Sequence, residues 1–229
     1  MKIGGFQKFS LIDYPGLVSA IIFTYGCNFR CSYCQNPELI NESFQDFISE
    51  DEIFDFLKKR KSKIDGVVIT GGEPLIQNDL PNFIYKIKLL DYKVKIDTNG
   101  SIPHVIKDLI SKRLIDYIAM DVKAPFDKYN FVINVKTDYT QMIKESIKLI
   151  MNSGLPYEFR TTYIKQFLSY EDVIRIAKSI SGADLFVIQK LQIRKVYMPD
   201  LIVPSVYEED ELKNLKNQVL KYVKRCLIR

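Results

Sequence analysis

The sequence predicts an α/β fold built on a parallel sheet with outer helices, and two observations support this prediction. Short β-rich runs alternate along the chain with segments of helical periodicity. Polar motifs also recur directly after the β-rich runs, which is typical of chemistry placed at the carboxyl ends of parallel strands. Strands that alternate with helices need crossover connections, so the sheet is either doubly wound or a (β/α) barrel, and six units would give a partial barrel.

Six near-continuous apolar segments are predicted to form buried strands. They are residues 18–25, 66–70, 92–97, 116–121, 157–163 and 184–189. Helical patterns lie between and after them, and the last is an amphipathic helix. They cover residues 50–62, 79–90, 103–113, 137–152, 170–180 and 207–227. Ser49 stands three residues before Glu52, which is a capping signature for the first helix.

The composition is that of an ordinary globular protein. The 229 residues are 47% apolar and 27% charged, which argues against a disordered chain. Internal repeats and linker-like tracts are not evident, so we expect one domain over residues 1–229. Its core would span about 18–190, followed by a C-terminal extension at about 191–229.

Charge and hydropathy exclude several classes of partner. The formal net charge is only +5, and much of the excess lies after residue 210, where we expect a solvated helix face. A nucleic-acid partner is therefore not expected. The apolar run at 17–25 is too short to span a bilayer, and the N-terminus lacks the apolar part of a secretion signal. We expect a cytoplasmic protein without a membrane partner.

Three of the four cysteines fall within eight residues, directly after the first predicted strand. Cys27, Cys31 and Cys34 have the spacing C-x3-C-x2-C. In a reducing compartment such a group is more often a metal site than a set of disulfides. A structural zinc ion normally takes four protein ligands, whereas three cysteines suit a [4Fe–4S] cluster with one iron left open. Zinc with an added carboxylate, or three unreactive thiols, stays an alternative on spacing alone.

The fourth cysteine and the only histidine are not expected to be ligands. Cys226 ends a stripe of apolar residues, spaced three or four apart from Leu212 onward, and is predicted to lie on the buried face of the last helix. His104 follows Pro103 in the first turn of a predicted helix, where a surface or capping role is expected.

At this point the sequence resembles a known family, the radical S-adenosylmethionine (radical SAM) superfamily. The cysteine loop has an aromatic residue, Tyr33, before its last cysteine, and the second predicted strand is followed directly by GGEP, as in that family. The segment FSLIDYPGLVSAIIFTYGCNFRCSYCQNPELI, followed by TGGEP, DTNG and DVK, is similar to the glycyl-radical-enzyme activases. Among these it is most similar to the activating proteins of anaerobic ribonucleoside-triphosphate reductase. The resemblance implies a partial (β/α)6 barrel.

The resemblance also implies a chemistry. Cys27, Cys31 and Cys34 would hold three irons of a [4Fe–4S] cluster, and the methionine amino and carboxylate groups of S-adenosylmethionine (AdoMet) would chelate the fourth. Reduction would cleave the sulfonium bond to give methionine and a 5′-deoxyadenosyl radical, which takes a hydrogen atom from a glycine of a partner. The implied partners are a glycyl-radical enzyme, which is the protein substrate, and a reductant, flavodoxin or ferredoxin.

The residues around the first two motifs have expected roles at this site. Gly71 and Gly72 offer a backbone without Cβ atoms, which a ligand can approach closely. Glu73 could fix this loop or meet the AdoMet ammonium group, and Pro74 stiffens the loop. Tyr33 could shield the cluster, or could simply pack in the core.

Polar residues at the ends of the next two strands are further candidates for binding AdoMet. They are Asp97, Thr98, Asn99, Asp121 and Lys123. The two carboxylates could face the positive groups of AdoMet or a monovalent cation, and Lys123 offers a charge to the methionine carboxylate. Arg160 lies within the fifth predicted strand, where an unpaired arginine is costly, so we predict that it pairs with a carboxylate at the site.

One feature departs from the family pattern. Some activases have a histidine on the sixth strand near the AdoMet carboxylate, and here Gln189, Lys190 or Gln192 would have to substitute. Three other functions stay open. The chain could be a radical SAM enzyme for a small molecule, similar to 7-carboxy-7-deazaguanine synthase, or an activase of the pyruvate formate-lyase type. A zinc or nucleic-acid module would instead require a fourth ligand and a basic, aromatic surface.

Overall fold

A computed structural model describes residues 1–40, 44–191 and 195–229. Within these ranges the chain forms a mixed α/β structure in which eight strands make one sheet, ordered as they are in the sequence. The strands are β1 (Ile3–Ser10), β2 (Ser19–Thr24), β3 (Gly66–Gly71), β4 (Lys93–Thr98), β5 (Tyr117–Asp121), β6 (Tyr157–Tyr163), β7 (Phe186–Lys190) and β8 (Cys226–Ile228). Strand β1 is antiparallel to β2, whereas β2–β3, β3–β4, β6–β7 and β7–β8 are parallel pairs.

Helices connect most of the strands. They are α1 (Glu50–Arg60), α2 (Leu80–Lys88), α3 (Pro103–Ser111), α4 (Tyr129–Ile133), α5 (Thr140–Met151), α6 (Tyr170–Ser179) and α7 (Glu209–Val219). The predicted cap of α1 is confirmed, because the Ser49 side chain accepts a hydrogen bond from the Glu52 N–H at 3.2 Å. Ser169 and Asp172 form a reciprocal capping box at the start of α6. No helix in the described ranges is long and apolar enough to cross a membrane.

The predicted α/β class is confirmed, and the six predicted strands correspond to β2–β7 with ends that agree within two residues. Strands β1 and β8 were not predicted, so the sheet has eight strands rather than six and is mostly parallel. Strand β1 carries two adjacent glycines and a stretch of exposed residues, so it lacks the buried pattern of the others. Strand β8 has only three residues, which is too short for a periodic pattern.

The last helix was predicted over 207–227 but ends at Val219. Beyond it, the backbone bonds to the segment before β7: the Tyr222 carbonyl accepts from the Gly182 N–H, and the Lys224 N–H donates to the Ala183 carbonyl. These tertiary hydrogen bonds override the helical periodicity. Cys226 is buried as predicted, with 4% exposure, but it lies in β8 rather than on a helix.

The chain forms two compact units. Unit 1 comprises Met1–Asn28, Asn36–Thr98 and Ile102–Ile118, and unit 2 comprises Phe29–Gln35, Asn99–Ser101 and Ala119–Arg229. Each has its own core of fully buried side chains. Those of unit 1 include Ile22, Leu57, Ile69 and Phe83, and those of unit 2 include Tyr129, Phe159, Ile176, Phe186 and Leu215. The single domain expected from the sequence stays a prediction.

Candidate functional site

The loop after β3 is a tight turn that only glycine fits. Gly71 has a φ of +118°, and a Cβ added there would lie 2.4 Å from the Thr24 nitrogen. A Cβ on Gly72 would lie 1.9 Å from the Gly26 carbonyl oxygen. The Gly72 N–H donates to the Thr24 carbonyl at 2.9 Å, and the Glu73 N–H donates to the Gly26 carbonyl at 2.8 Å. Because neither glycine has a Cβ, this turn can pack directly against the segment that leads into the first cysteine.

Sheet register explains why these two loops meet. Strands β2 and β3 are parallel, and Thr24, the last residue of β2, lies opposite Gly71, the last residue of β3. Both strands therefore leave the sheet at the same edge, as the sequence motifs require. The Asn36 side chain donates to the Gly71 carbonyl at 3.4 Å and adds a further contact to this turn.

Glu73 is fully buried and organises the turn from within. Its Oε1 accepts hydrogen bonds from the Thr98 hydroxyl at 2.7 Å and from the Leu75 N–H at 3.1 Å. Pro74 begins a short 3-10 helix, Pro74–Ile76, directly after it. Of the two roles predicted for Glu73, the structure confirms that it fixes the loop. The Thr98 contact links this loop to the end of β4.

Asp97, at the end of β4, is paired with a lysine that the sequence analysis missed. The Lys95 Nζ contacts the Asp97 Oδ1, and the lysine side chain is only 2% exposed. The same Nζ lies 5.8 Å from the centre of the Tyr117 ring. The sequence did contain a signal, because residues two apart in a strand share a face, so a lysine within an apolar strand must find a carboxylate there.

In unit 2, a turn places Cys31 and Cys34 in one short loop, where the Cys34 N–H donates to the Cys31 carbonyl at 3.0 Å. The loop is anchored at both ends: the Arg30 N–H donates to the Ile133 carbonyl, and the Tyr197 N–H donates to the Cys34 carbonyl, each at 2.9 Å. Burial raises the pKa of the Cys31 thiol to about 11, so this thiol must lose its proton when a metal binds.

Aromatic side chains pack around this cysteine loop. Tyr33 is 5% exposed, and its ring centre lies 6.1 Å from that of Phe167. Phe29 is 3% exposed and contacts the Tyr139 ring at 5.1 Å in an edge-to-face arrangement. Burial, reinforced by the nearby Cys31 group, holds the pKa of Tyr33 well above its usual value, so its hydroxyl is neutral. The loop is therefore bordered by apolar surface, as expected for Tyr33.

Three charged residues of unit 2 form a compact group, two of them at the end of β5 and just after it and the third, Arg160, in the middle of β6. The Asp121 carboxylate accepts from the Arg160 Nε at 2.7 Å and from the Lys123 Nζ at 2.8 Å. Burial alone would raise the pKa of Asp121, but the charges of Arg160 and Lys123 outweigh it and hold that pKa far below its ordinary value. The predicted pairing of Arg160 with a carboxylate is thus confirmed.

The other candidates are placed as follows. The Asn99 side chain accepts from the Ser101 N–H at 2.9 Å within a buried turn. Gln189 lies in β7 opposite Thr162 and is half-buried, whereas Lys190 is exposed and Gln192 lies outside the described residues. His104 is exposed in the first turn of α3. Contact between these residues and AdoMet stays a prediction.

The donor set fits an iron–sulfur cluster. All four cysteines lie in the described ranges, and none of them is in a disulfide. Among the described side chains, no three of His, Cys, Asp or Glu converge as ligands of a single metal ion. In a cluster each cysteine binds its own iron, so convergence on one point is not required. Thiols beside apolar rings, as at Cys31 and Cys34, are donors that such clusters take, and Cys27 as the third ligand stays a prediction.

Comparison with known families defines the class of protein. Residues 21–183 match the family described as the radical SAM superfamily, and they make up well over half of the chain. The chain therefore belongs to the radical SAM superfamily and is an enzyme of that kind. Membership implies a [4Fe–4S] cluster and AdoMet as cofactors.

Two individual relatives are similar to most of this chain. A protein of Methanocaldococcus jannaschii is 37% identical to this chain. The match covers 99% of this chain and 95% of that protein, which is provisionally named a glycyl-radical enzyme activating enzyme. The 7-carboxy-7-deazaguanine synthase of Thermoplasma acidophilum is 28% identical over 84% of this chain and 93% of its own length.

A solved structure confirms the fold class. The Streptococcus suis protein SuiB, bound to its precursor peptide SuiA, superposes with a TM-score of 0.71 at 18% identity. The match covers 91% of this chain but only 48% of SuiB, so the chain spans about half the length of that protein. At this identity the likeness concerns the fold alone.

Proposed function

We propose that this enzyme generates a glycyl radical on a partner protein, using AdoMet bound at a [4Fe–4S] cluster. The observation that carries the proposal is the end-to-end resemblance to a relative provisionally named as such an activating enzyme, which leaves almost no part of either chain unmatched. When bound, the reduced cluster and AdoMet supply a 5′-deoxyadenosyl radical able to take a hydrogen atom from a glycine.

The chain's own residues have three tasks in this proposal. Cys27, Cys31 and Cys34 hold three irons of the cluster, and the apolar rings of Tyr33 and Phe29 keep water from the cysteine loop. The burial of these rings, 5% and 3% exposed, supports that shielding role. A protected loop matters because a carbon-centred radical reacts with whatever it meets.

The second task is to hold the backbone at the Gly71–Gly72 turn in one conformation. A backbone carbonyl group of this turn accepts a hydrogen bond from the amino group of AdoMet's methionine portion. Glu73 contributes through the turn, because its Oε1 is engaged by Thr98 and Leu75. Pro74 limits the motion of the same loop.

The third task is charge recognition. Lys123 offers its ammonium group to the methionine carboxylate of AdoMet, while Asp121 and Arg160 hold that lysine in place. The further candidates for contact with AdoMet are Asp97, Thr98 and Asn99, at the end of β4 and just after it, and Gln189 on β7.

We propose anaerobic ribonucleoside-triphosphate reductase as the partner, flavodoxin or ferredoxin as the reductant, and the cytoplasm as the location. The motif-by-motif resemblance of the sequence supports these finer assignments. A glycyl-radical enzyme of the pyruvate formate-lyase type is the nearest alternative partner. A second candidate function is synthesis of 7-carboxy-7-deazaguanine, which is favoured by the relative from Thermoplasma acidophilum that matches 84% of this chain.

Electron paramagnetic resonance of the partner tests the proposal. The cluster-loaded enzyme, AdoMet and a reductant are mixed anaerobically with the reductase, and a glycyl-radical signal with stoichiometric 5′-deoxyadenosine is expected. Cys27→Ala, Cys31→Ala and Cys34→Ala abolish the signal, whereas Cys226→Ala, a buried cysteine of β8, serves as the matched control and retains it. Turnover of the deazaguanine synthase substrate without any protein radical would instead establish the second candidate.

A further inference from the structure

Lys95 is the most unexpected charged residue in the molecule. It lies in the middle of β4, its side chain is 2% exposed, and it ranks among the largest fully buried side chains. A buried ammonium group is costly unless a negative partner neutralises it. The partner here is Asp97, the aspartate of the DTNG motif, and the Tyr117 ring covers the ammonium at 5.8 Å.

Asp121 in unit 2 is neutralised in the same way. The Arg160 guanidinium donates to one carboxylate oxygen at 2.7 Å and the Lys123 ammonium donates to the other at 2.8 Å. Each carboxylate that the sequence offered to a monovalent cation therefore already has a cationic group of its own chain. A metal cation brought to such a carboxylate would be repelled by the charge already present.

We propose that Lys95 takes the place of a bound monovalent cation, so that this enzyme binds AdoMet without sodium or potassium. The inference rests on the proposed function, since Asp97 is taken to lie at the AdoMet site. Lys95 is a positioning residue: it neutralises Asp97 and fixes the end of β4, where Thr98 holds Glu73. The expectation of a monovalent cation, drawn from the family resemblance, is replaced by an internal ammonium group.

The test compares wild type with Lys95→Ala at constant ionic strength, with N-methylglucamine, potassium or methylammonium as the only cation. The affinity of the cluster-loaded protein for AdoMet is measured by calorimetry. Wild-type affinity is expected to be the same in all three salts. Lys95→Ala should weaken binding about tenfold in N-methylglucamine, the cost of one charged hydrogen bond, and potassium or methylammonium should restore it.

Thermal unfolding without AdoMet separates this inference from the proposed function. Potassium or methylammonium should raise the melting temperature of Lys95→Ala and leave wild type unchanged, whether or not the protein binds AdoMet. The matched control is Lys112→Ala, an exposed lysine paired with Asp108 at 2.9 Å, which should show no cation dependence. The inference is overturned if wild type needs sodium or potassium to bind AdoMet, or if neither cation rescues Lys95→Ala in either measurement.

Discussion

Two carboxylates that the sequence analysis proposed as AdoMet ligands, Glu73 in unit 1 and Asp121 in unit 2, have different hydrogen-bond partners. Glu73 is fully buried and takes hydrogen bonds from a hydroxyl and a backbone N–H. Asp121 takes its bonds from the charged groups of Arg160 and Lys123. The two donors described for the first carboxylate are dipoles, and the two described for the second carry full charges.

Because their partners differ, Glu73 and Asp121 should be sensitive to different kinds of substitution. The surroundings of Glu73 depend on backbone shape, which the glycine turn sets locally. Those of Asp121 depend on charge balance between residues 39 positions apart in sequence. A substitution that changes backbone shape should therefore disrupt the contacts of Glu73, and one that changes charge should disrupt the contacts of Asp121.

The largest effect should come from Gly72→Ala. The added Cβ would meet the Gly26 carbonyl at 1.9 Å, and backbone cannot yield as a flexible side chain can. We expect a loss of more than about 3 kcal/mol in the free energy of unfolding, together with loss of AdoMet binding. Urea unfolding measures the first. Gly5→Ala is the control, because its Cβ would meet Phe23 at an ordinary 3.4 Å; equal stability of the two variants would refute the steric account.

Asp121→Asn should have the next largest effect. The change is nearly isosteric but removes the carboxylate that pairs with both Arg160 and Lys123, which are 14% and 15% exposed, and Glu158 lies 4.0 Å from Arg160 as a weaker partner. We expect destabilisation of about 2 kcal/mol, less than for a fully buried pair. Asp108→Asn, which removes the exposed partner of Lys112, should cost less than about 0.5 kcal/mol. A similar cost for both variants would mean that charge balance does not distinguish Asp121.

Asp116 has both kinds of partner, a backbone N–H and charged ammonium groups, and its contribution to stability depends on pH. It accepts from the Val94 N–H at 2.8 Å and from the ammonium groups of Lys88 and Lys93 at 2.6 and 3.0 Å. Burial raises its pKa, but these partners prevail and hold the pKa below the usual 3.8. Its contribution is therefore complete above that pH and is lost as the pH falls through the lowered value.

Asp116→Asn should thus destabilise the protein by about 1 kcal/mol at neutral pH, and the difference from wild type should shrink below about pH 4. Urea unfolding of both proteins across this range measures the difference. A gap that widens as the pH falls would contradict the direction of the pKa shift.

Glu73→Gln should have the smallest effect. Both described donors bond to the same oxygen, Oε1, which a glutamine carbonyl can replace. We expect a loss below about 1 kcal/mol, whereas Glu73→Ala, which leaves both donors unpaired, should lose about 2 kcal/mol. If Glu73→Gln and Glu73→Ala lose equal stability, the negative charge of Glu73 is itself needed. Glu73 would then depend on charge, as Asp121 does.

Most strands and the site motifs could be predicted because each depends on the residue pattern of one short segment. Strands β2 and β3 are near-continuous apolar runs, and polar motifs follow directly at their ends. The helix boundary at Val219 could not be predicted, since periodicity continues through Val223 while the fold uses hydrogen bonds to residues 182–183. Strand β8 exists only because β7 offers it a partner.

Within the site, motif membership was easier to predict than side-chain pairing. Pairing of Arg160 with a carboxylate follows from the cost of burying charge, but its choice of Asp121 needed the register of neighbouring strands. Lys95 was missed because it is flanked by apolar residues and belongs to no motif. Its period-two relation to Asp97 was visible in the sequence.

The most direct test of the account is anaerobic reconstitution with iron and sulfide, followed by electron paramagnetic resonance of the reduced protein with and without AdoMet. The same samples are assayed for 5′-deoxyadenosine. The account predicts a cluster signal that changes when AdoMet is added, and 5′-deoxyadenosine after reduction. A protein that fails to bind iron and retains zinc instead would contradict the catalytic roles assigned to Cys27, Cys31 and Cys34.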